Sequence, residues 1–486
     1  MSYMSLAYYG IVLISLLIYY IFPAKYRWCV ILVTSLFLYL NFSSFNRKKV
    51  ALFLLTALLS YIFGLLLQQM KRSKVNPVIT RIALIMSVLI VLLPLAYAKA
   101  VGIITPFIGE DRSFSVITAV GISFYTLQII GYLADVYNQK IRAQRNPAKY
   151  LLFVSFFPQI IQGPIPRFKE LSHQFFNPEK PGMKDFSRAF ELMIWGWFLK
   201  MMIADKAGIV VNAIFDHYKY YAGAYYWVAG ILYSIQLYAD FMACVLISKG
   251  TAALYGIKLK DNFDHPYFAT SIQDFWRRWH MSLSSWLRDY VYIPLGGNRH
   301  GKFRKYLNLL LTFLVSGIWH GDGIHFIFWG LLHGTYQIIG TLTDSFRQRL
   351  LDAAGIFRNT LVWKLWKRLG TFVLVMLAWV IFRANTLTQG LHMCRSMFTV
   401  FNPWIFFDDS LLDLGLNWRE LNILTFSCLL LLAVSTIQER LCIRDWIEKQ
   451  HLLIRWSLIF GAISAILIFG TYGYGFHASD SIYGGF

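Results

Sequence analysis

His320 sits where an ionisable side chain is costly. An apolar run over residues 306–319 ends on Trp319-His320-Gly321-Asp322-Gly323, and a second apolar run follows that carries His325 and His333. An imidazole at membrane depth points by default to a functional site. The flanking glycines permit a sharp turn or close approach of backbone to a substrate. An imidazole titrating near ~6.5 is suited to removing a proton from a hydroxyl nucleophile, and such help is worth roughly 10²–10⁴ in rate. Acyl transfer from a thioester to an alcohol needs such a base and little more, because the thioester is already activated. The bland reading is a histidine bonded to a carbonyl at a helix end. A metal shared by His320, His325 and His333 is the other competitor. Their spacings of five and eight differ from the H-x-x-x-H pair, and no carboxylate cluster accompanies them, so no metal is expected.

A second unusual stretch, residues 274–299, reads DFWRRWHMSLSSWLRDYVYIPLGGNR. Ser271 and Asp274 have capping-box spacing. From there Trp276, Trp279, Leu283, Leu287 and Tyr290 recur at helical intervals, with Arg277, Ser284 and Arg288 on another face, which predicts one helix stopping near Pro294. Alone, such a helix is an interfacial anchor with snorkelling arginines. Beside a catalytic base, Arg277, Arg278, Arg288 and Arg299 acquire a second use, binding the phosphates of a cytoplasmic coenzyme A thioester. Contact with anionic headgroups of membrane lipids, worth about 1 kcal/mol each, fits the same residues.

The elements that must position these groups are membrane helices. The 486-residue chain is 57% hydrophobic and only 15% charged, against ~25% charged in an average soluble protein. Apolar runs near the roughly 17–25 residues of a span occur at 6–22, 28–42, 50–67, 82–101, 113–133, 226–246, 306–319, 324–342, 371–382, 421–437 and 456–472. The expected fold is therefore all-α and polytopic, with about ten or more transmembrane helices plus re-entrant or interfacial segments. Three zones follow along one integrated membrane domain. Residues 1–135 are N-terminal spans, 136–345 are the Trp-, Gly-, Pro- and His-rich core, and 346–486 are C-terminal spans. Within the core, Pro158, Pro164 and Pro166 break an apolar segment. It is either a re-entrant element beside a cavity or a helix followed by a Pro-rich surface loop.

The net charge of +21 suggests nucleic acid only until its distribution is read. The basic residues lie in short loops between apolar runs, as the positive-inside rule describes. Counted over alternate loops, one side holds Lys25, Arg27, Lys71, Arg72, Lys74, Arg81, Lys140, Arg142, Arg145 and Lys149. The other holds Arg47, Lys48, Lys49, Lys99 and Arg112. The N-terminus is therefore expected outside, and no nucleic-acid partner is expected. The first apolar run lacks a basic n-region and is expected to be retained. Five cysteines show no pairing pattern and suit apolar packing.

The stretches FWRRWHMSLSSWLRDYVYIPLGGNR and SGIWHGDGIHFIFWGLLHG resemble the two signature regions of the membrane-bound O-acyltransferases, closest to their bacterial branch that acetylates alginate and wall polysaccharides. ISFYTLQIIGYLADVY, FVSFFPQIIQGPIPRF and the tail FGTYGYGFHASDSIYGGF also resemble it. The resemblance implies a many-helix fold around a central funnel. It maps the family's W-H-G histidine onto His320 and its other W-H histidine onto His280. The reading from the residues themselves adds Trp276, Trp279 and the four arginines as shaping donor entry. It further implies a cytoplasmic acyl thioester, expected to be acetyl-CoA, and no bound cofactor. The acceptor is then a hydroxyl on an extracytoplasmic polysaccharide, reached in this branch through a separate SGNH-hydrolase-type partner protein. The implied location is the bacterial cytoplasmic membrane. D-alanyl transfer to teichoic acid shares the W-H motifs, whereas PLGGNR favours acetyl. A transporter or a scaffold for a polysaccharide synthase are the alternatives outside covalent chemistry.

Overall fold

The computed structural model describes residues 4–108 (side chains to 104), 117–357 and 360–472, and these are helical with no strand. Six helices among them are long and apolar enough to cross a membrane: Arg47–Arg72, Pro77–Ile104, Ala224–Leu254, Leu361–Arg383, Trp418–Gln438 and Leu452–Phe469. The last two leave most of their leucine, isoleucine and phenylalanine side chains uncovered by protein, as a lipid-facing helix does. Helix starts follow local capping chemistry. Asn46 accepts from the N–H groups of Lys48 and Lys49. Asn417 and Glu420 form a reciprocal capping box. The span expected over 113–133 begins outside the described residues, and the helix described within it is the buried Ile122–Tyr137.

The chain forms two compact units. The first comprises residues up to Met193 together with Cys244–Asp261. Its centre is aromatic: Tyr39 stacks on Phe53 at 4.1 Å, and Phe53 meets Tyr125 edge-on at 5.3 Å. Here the Pro-broken segment departs from the surface-loop reading. Helix Pro147–Ser155 ends, residues 156–167 follow without regular helix, and helix Phe168–Phe176 resumes. Nine of the twelve residues of the irregular stretch are buried and none is exposed, so it is no surface loop. Its backbone is served from inside the protein: Ser35 Oγ accepts from the N–H of Phe157, and the Gln128 amide donates to the Phe153 carbonyl. That is the condition under which helix breaks survive away from water.

The second unit comprises Ile194–Ala243 with residues from Asn262 onward. Its frame is the pair of helices Gly301–His320 and Ile324–Leu342, joined by the short turn at residues 321–323. They approach backbone to backbone. A β-carbon on Gly317 would lie 2.4 Å from the Phe326 carbonyl oxygen, and one on Gly330 would lie 2.3 Å from that of Phe313. Only glycine fits at either place. The same unit buries an ion cluster: Lys200 Nζ lies 2.8 Å from Asp205 and 2.9 Å from Asp240, all three almost wholly buried. Lys200 and Asp205 are five apart and share a face because residues 199–204 form a π-turn.

Two measurements follow. Gly330→Ala forces the helix pair apart and should cost about 1–3 kcal/mol, read as a lower unfolding midpoint of the detergent-solubilised protein. An unchanged midpoint would contradict the contact. Lys200→Met removes the cation shared by two buried carboxylates, which typically costs ~3–5 kcal/mol. A Lys200→Met protein as stable as the parent would show the cluster to be hydrated.

Candidate functional site

The stretch expected as one helix is two. Helix Ile272–Arg278 ends at Trp279, whose backbone is extended, and His280 adopts the left-handed conformation with φ 44° before helix Met281–Leu287 begins. The cause is tertiary. An extended segment pairs with the break: Met281 donates to the Asn262 carbonyl at 2.9 Å, and Asp264 donates to that of Arg278 at 2.9 Å. The expected capping box is also one-sided. Ser271 Oγ accepts from the Asp274 N–H at 3.1 Å. The Asp274 carboxylate instead accepts from the Thr270 N–H and pairs with Arg278 at 3.0 Å. A π-turn over 288–292 closes the second helix before Pro294. The Gly296-Gly297 turn that follows is held by Asn308, which donates to the Gly297 carbonyl at 2.9 Å.

The break turns His280 away from the tryptophan stripe. Its ring is wholly buried, edge-on to Phe241 at 4.8 Å and to Trp319 at 6.1 Å. Nδ1 lies 3.2 Å from Asn262 Oδ1, which also takes the Ser282 N–H at 3.0 Å and the Ser282 hydroxyl at 2.8 Å. A backbone N–H can only donate, so that atom is the amide oxygen, and Nδ1 must carry the proton. Nε2 then presents a buried lone pair with no partner among the described residues. Burial pushes the imidazole pKa down to about 3, so the ring is neutral.

His320 closes helix Gly301–His320 and is 2% exposed. Its ring packs against Trp319 at 4.8 Å, Trp329 at 4.9 Å and Phe382 at 5.5 Å. Trp319 therefore touches both histidines, and both lie in one unit. Trp329 in turn meets His333 at 5.1 Å. His333 is the residue that sequence reasoning left out of the site. The signal was present, since a histidine one helical turn beyond Trp329 inside an apolar run is a costly ionisable group to bury. His325 is buried against Phe326 and makes no ring contact with the other three. Among the described residues no group of three or more His, Cys, Asp or Glu is placed to hold a metal ion.

The residues expected at a donor site divide. Trp276 and Trp279 are buried: Trp276 donates from its indole to His333 Nδ1 at 3.2 Å, and Trp279 stacks on Phe275 and meets Trp379. Arg278 is half-buried and tied to Asp274. Arg277, Arg288 and Arg299 are exposed, with Arg288 paired to Asp289 at 2.9 Å. The unit also holds an apolar cavity of about 470 Å³, lined by Leu232, Ile235, Tyr267, Phe372 and Leu424 among others. Neither His280 nor His320 lines it, and the one imidazole at its wall, His265, is hydrogen-bonded to Asp264 at 2.9 Å. The C-terminal tail motif lies largely outside the described residues.

Comparison with known proteins gives a consistent picture. A family model described as MBOAT, membrane-bound O-acyltransferase family, matches residues 52–382. A probable alginate O-acetylase of Azotobacter vinelandii is 34% identical over 423 residues, spanning 85% of this chain and 79% of its own length. The peptidoglycan O-acetyltransferase of Helicobacter pylori is 38% identical over 312 residues, spanning 59% and 58%. The teichoic acid D-alanyltransferase of Bacillus subtilis is 28% identical over 262 residues, spanning 50% and 64%.

The neutral His280 carries a pH signature. In the fold it resists protonation down to about 3, whereas in the unfolded chain it titrates near ~6.5. Its contribution to stability is complete above ~6.5 and is lost progressively as pH falls from there toward 3. His280→Gln should therefore lose less thermal stability than the parent between pH 6.5 and 4.5. Equal slopes would mean that the ring is hydrated in the native state.

Proposed function

The chain belongs to the membrane-bound O-acyltransferase family, and from that premise we propose that it moves acetyl from cytoplasmic acetyl-CoA to a hydroxyl of an extracytoplasmic polysaccharide in the bacterial envelope. His320 is the general base. Its imidazole takes the proton of the acceptor hydroxyl as the oxygen attacks the thioester carbonyl carbon. The tetrahedral intermediate collapses by breaking the carbon–sulfur bond, and the departing thiolate recovers the proton from the imidazolium. The products are an acetyl ester and free CoA, and the base is regenerated. The single observation carrying this reading is a buried imidazole on a helix end, walled by Trp319, Trp329 and Phe382. Water is scarce there, so the thioester is shielded from hydrolysis.

His280 assists. Its Nε2 lone pair suits a neighbouring hydroxyl of the acceptor saccharide, and so orients the acceptor without competing for the proton that His320 takes. The exposed Arg277, Arg288 and Arg299 suit the phosphates of CoA near the cytoplasmic boundary, with Arg278, Trp276 and Trp279 supporting that wall. The chain lies in the cytoplasmic membrane with its N-terminus outside, as the loop charges favour. An SGNH-hydrolase-type protein is the proposed carrier to the final polysaccharide. Acetyl is favoured over D-alanyl because the acetylating relatives are more similar and match over more of the chain.

His320→Ala should lower transfer by at least ~10²–10⁴-fold at normal membrane levels. The readout is the mass of ester-linked groups that mild base releases from the envelope, which separates acetate from alanine. Full acetylation by a normally inserted His320→Ala protein would overturn the assignment of the base, and released alanine would overturn the acetyl reading.

A further inference from the structure

Three buried N–H groups surround Trp329 without an acceptor among the described residues. The first belongs to His333. The Trp276 indole can only donate, so His333 Nδ1 accepts its bond. An imidazolium would place a second donor there against the first, so the ring is neutral and its proton resides on Nε2. That atom is buried and has no partner. The second and third are the indole Nε1 groups of Trp329 and Trp379, both residues 0% exposed. The Trp329 ring contacts His320 at 4.9 Å and His333 at 5.1 Å, whereas Trp379 is stacked behind Trp329 at 5.5 Å. Buried donors in native structures are nearly always satisfied by protein, water or ligand. Here the walls are aromatic: Trp276, Phe275, Phe313 and Trp379 all pack on His333.

We propose that the Nε2–H of His333 and the Nε1–H of Trp329 are a donor pair for the carbonyl oxygen of the acyl thioester, and that they hold the negative charge this oxygen gains in the tetrahedral intermediate. The inference rests on the reading of His320 as the base of acyl transfer from a CoA thioester. It adds the electrophilic half that the reading lacks. As the acceptor oxygen bonds to carbon, the carbonyl electron pair moves onto oxygen and returns when the carbon–sulfur bond breaks. Neutral donors fixed among aromatic rings stabilise such a charge without reorganising at the moment of reaction. The two histidines of known tautomer thus have opposite polarity: His280 offers a lone pair and His333 a proton. Trp276 is a positioning residue, because its bond to Nδ1 keeps that proton on Nε2.

The test uses the purified full-length protein and two unreactive analogues of acetyl-CoA. Both carry methylene in place of the thioester sulfur; one keeps the ketone oxygen and the other has that carbonyl reduced to methylene. The parent should bind the ketone roughly tenfold more tightly, the scale of one good hydrogen bond. His333→Phe and Trp329→Phe should each erase the preference while leaving affinity for the alkyl analogue unchanged. Their kcat for transfer should fall about 10²–10³-fold with KM nearly constant, and His333→Gln, which retains a donor, should recover part of it. His320→Ala should lose transfer yet keep the preference, so the base and the donor pair are tested separately. Equal affinity of the parent for both analogues overturns the proposal, whether or not any variant folds. Variants that weaken both analogues alike assign His333 and Trp329 a structural role. Binding of neither analogue overturns the acetyl-CoA reading and the donor pair with it.

Discussion

The hydrogen bond from the Trp276 indole to His333 joins two stretches 57 residues apart, and it ties the chemistry of the site to its architecture. An indole N–H has no acceptor capacity, so the bond fixes a tautomer as well as a distance. It also pins the short helix Ile272–Arg278 against helix Ile324–Leu342. The latter is held in turn to helix Gly301–His320 by backbone contacts at Gly317 and Gly330. His320 ends the first helix of that pair, so its place follows from close packing rather than from a loop. Catalytic geometry is held more tightly by such packed elements than by flexible segments.

Buried aromatic surroundings penalise fixed charge and favour neutral groups of defined polarity. That explains the division among the residues expected to act together. The tryptophans and histidines are buried, whereas Arg277, Arg288 and Arg299 stay at the surface, where a guanidinium keeps its hydration and can still meet a phosphate. Lys200 is the exception that fits the rule. It is buried, but with two carboxylates within 3 Å, and it lies on a π-turn that aligns the charges.

Much of this was legible in the chain. Long apolar runs gave helices because a helix satisfies its own backbone in lipid, and Trp319-His320-Gly321 flagged a costly histidine between such runs. The prolines after Tyr150 marked a real interruption, but their burial depended on neighbours such as Ser35 and Gln128, which periodicity cannot reveal. The break at His280 was hidden for a similar reason. The stripe of Trp276, Trp279 and Leu283 has helical spacing, and the departure from it is imposed by hydrogen bonds from the distant Asn262–Asp264 backbone. The Lys200 cluster was visible only as scattered charges in LKMMIADK and in the run carrying Asp240. Their convergence needs the π-turn, which has no clear sequence signature.

The strained backbone of His280 and its tautomer have a single origin. A left-handed conformation at a residue with a β-carbon costs of order 1 kcal/mol or more and persists only where the surroundings over-determine it. Asn262 supplies that constraint twice, through its carbonyl to Met281 and through its side chain to Ser282, and the same side-chain oxygen accepts the hydrogen bond from His280 Nδ1. Had the helix continued, the ring would have stayed on the tryptophan stripe and lost this partner. The break therefore does more than redirect a side chain. It brings the ring to the acceptor that leaves Nε2 as a lone pair, and so gives the site an acceptor nitrogen of fixed orientation to set against the donor held by Trp276.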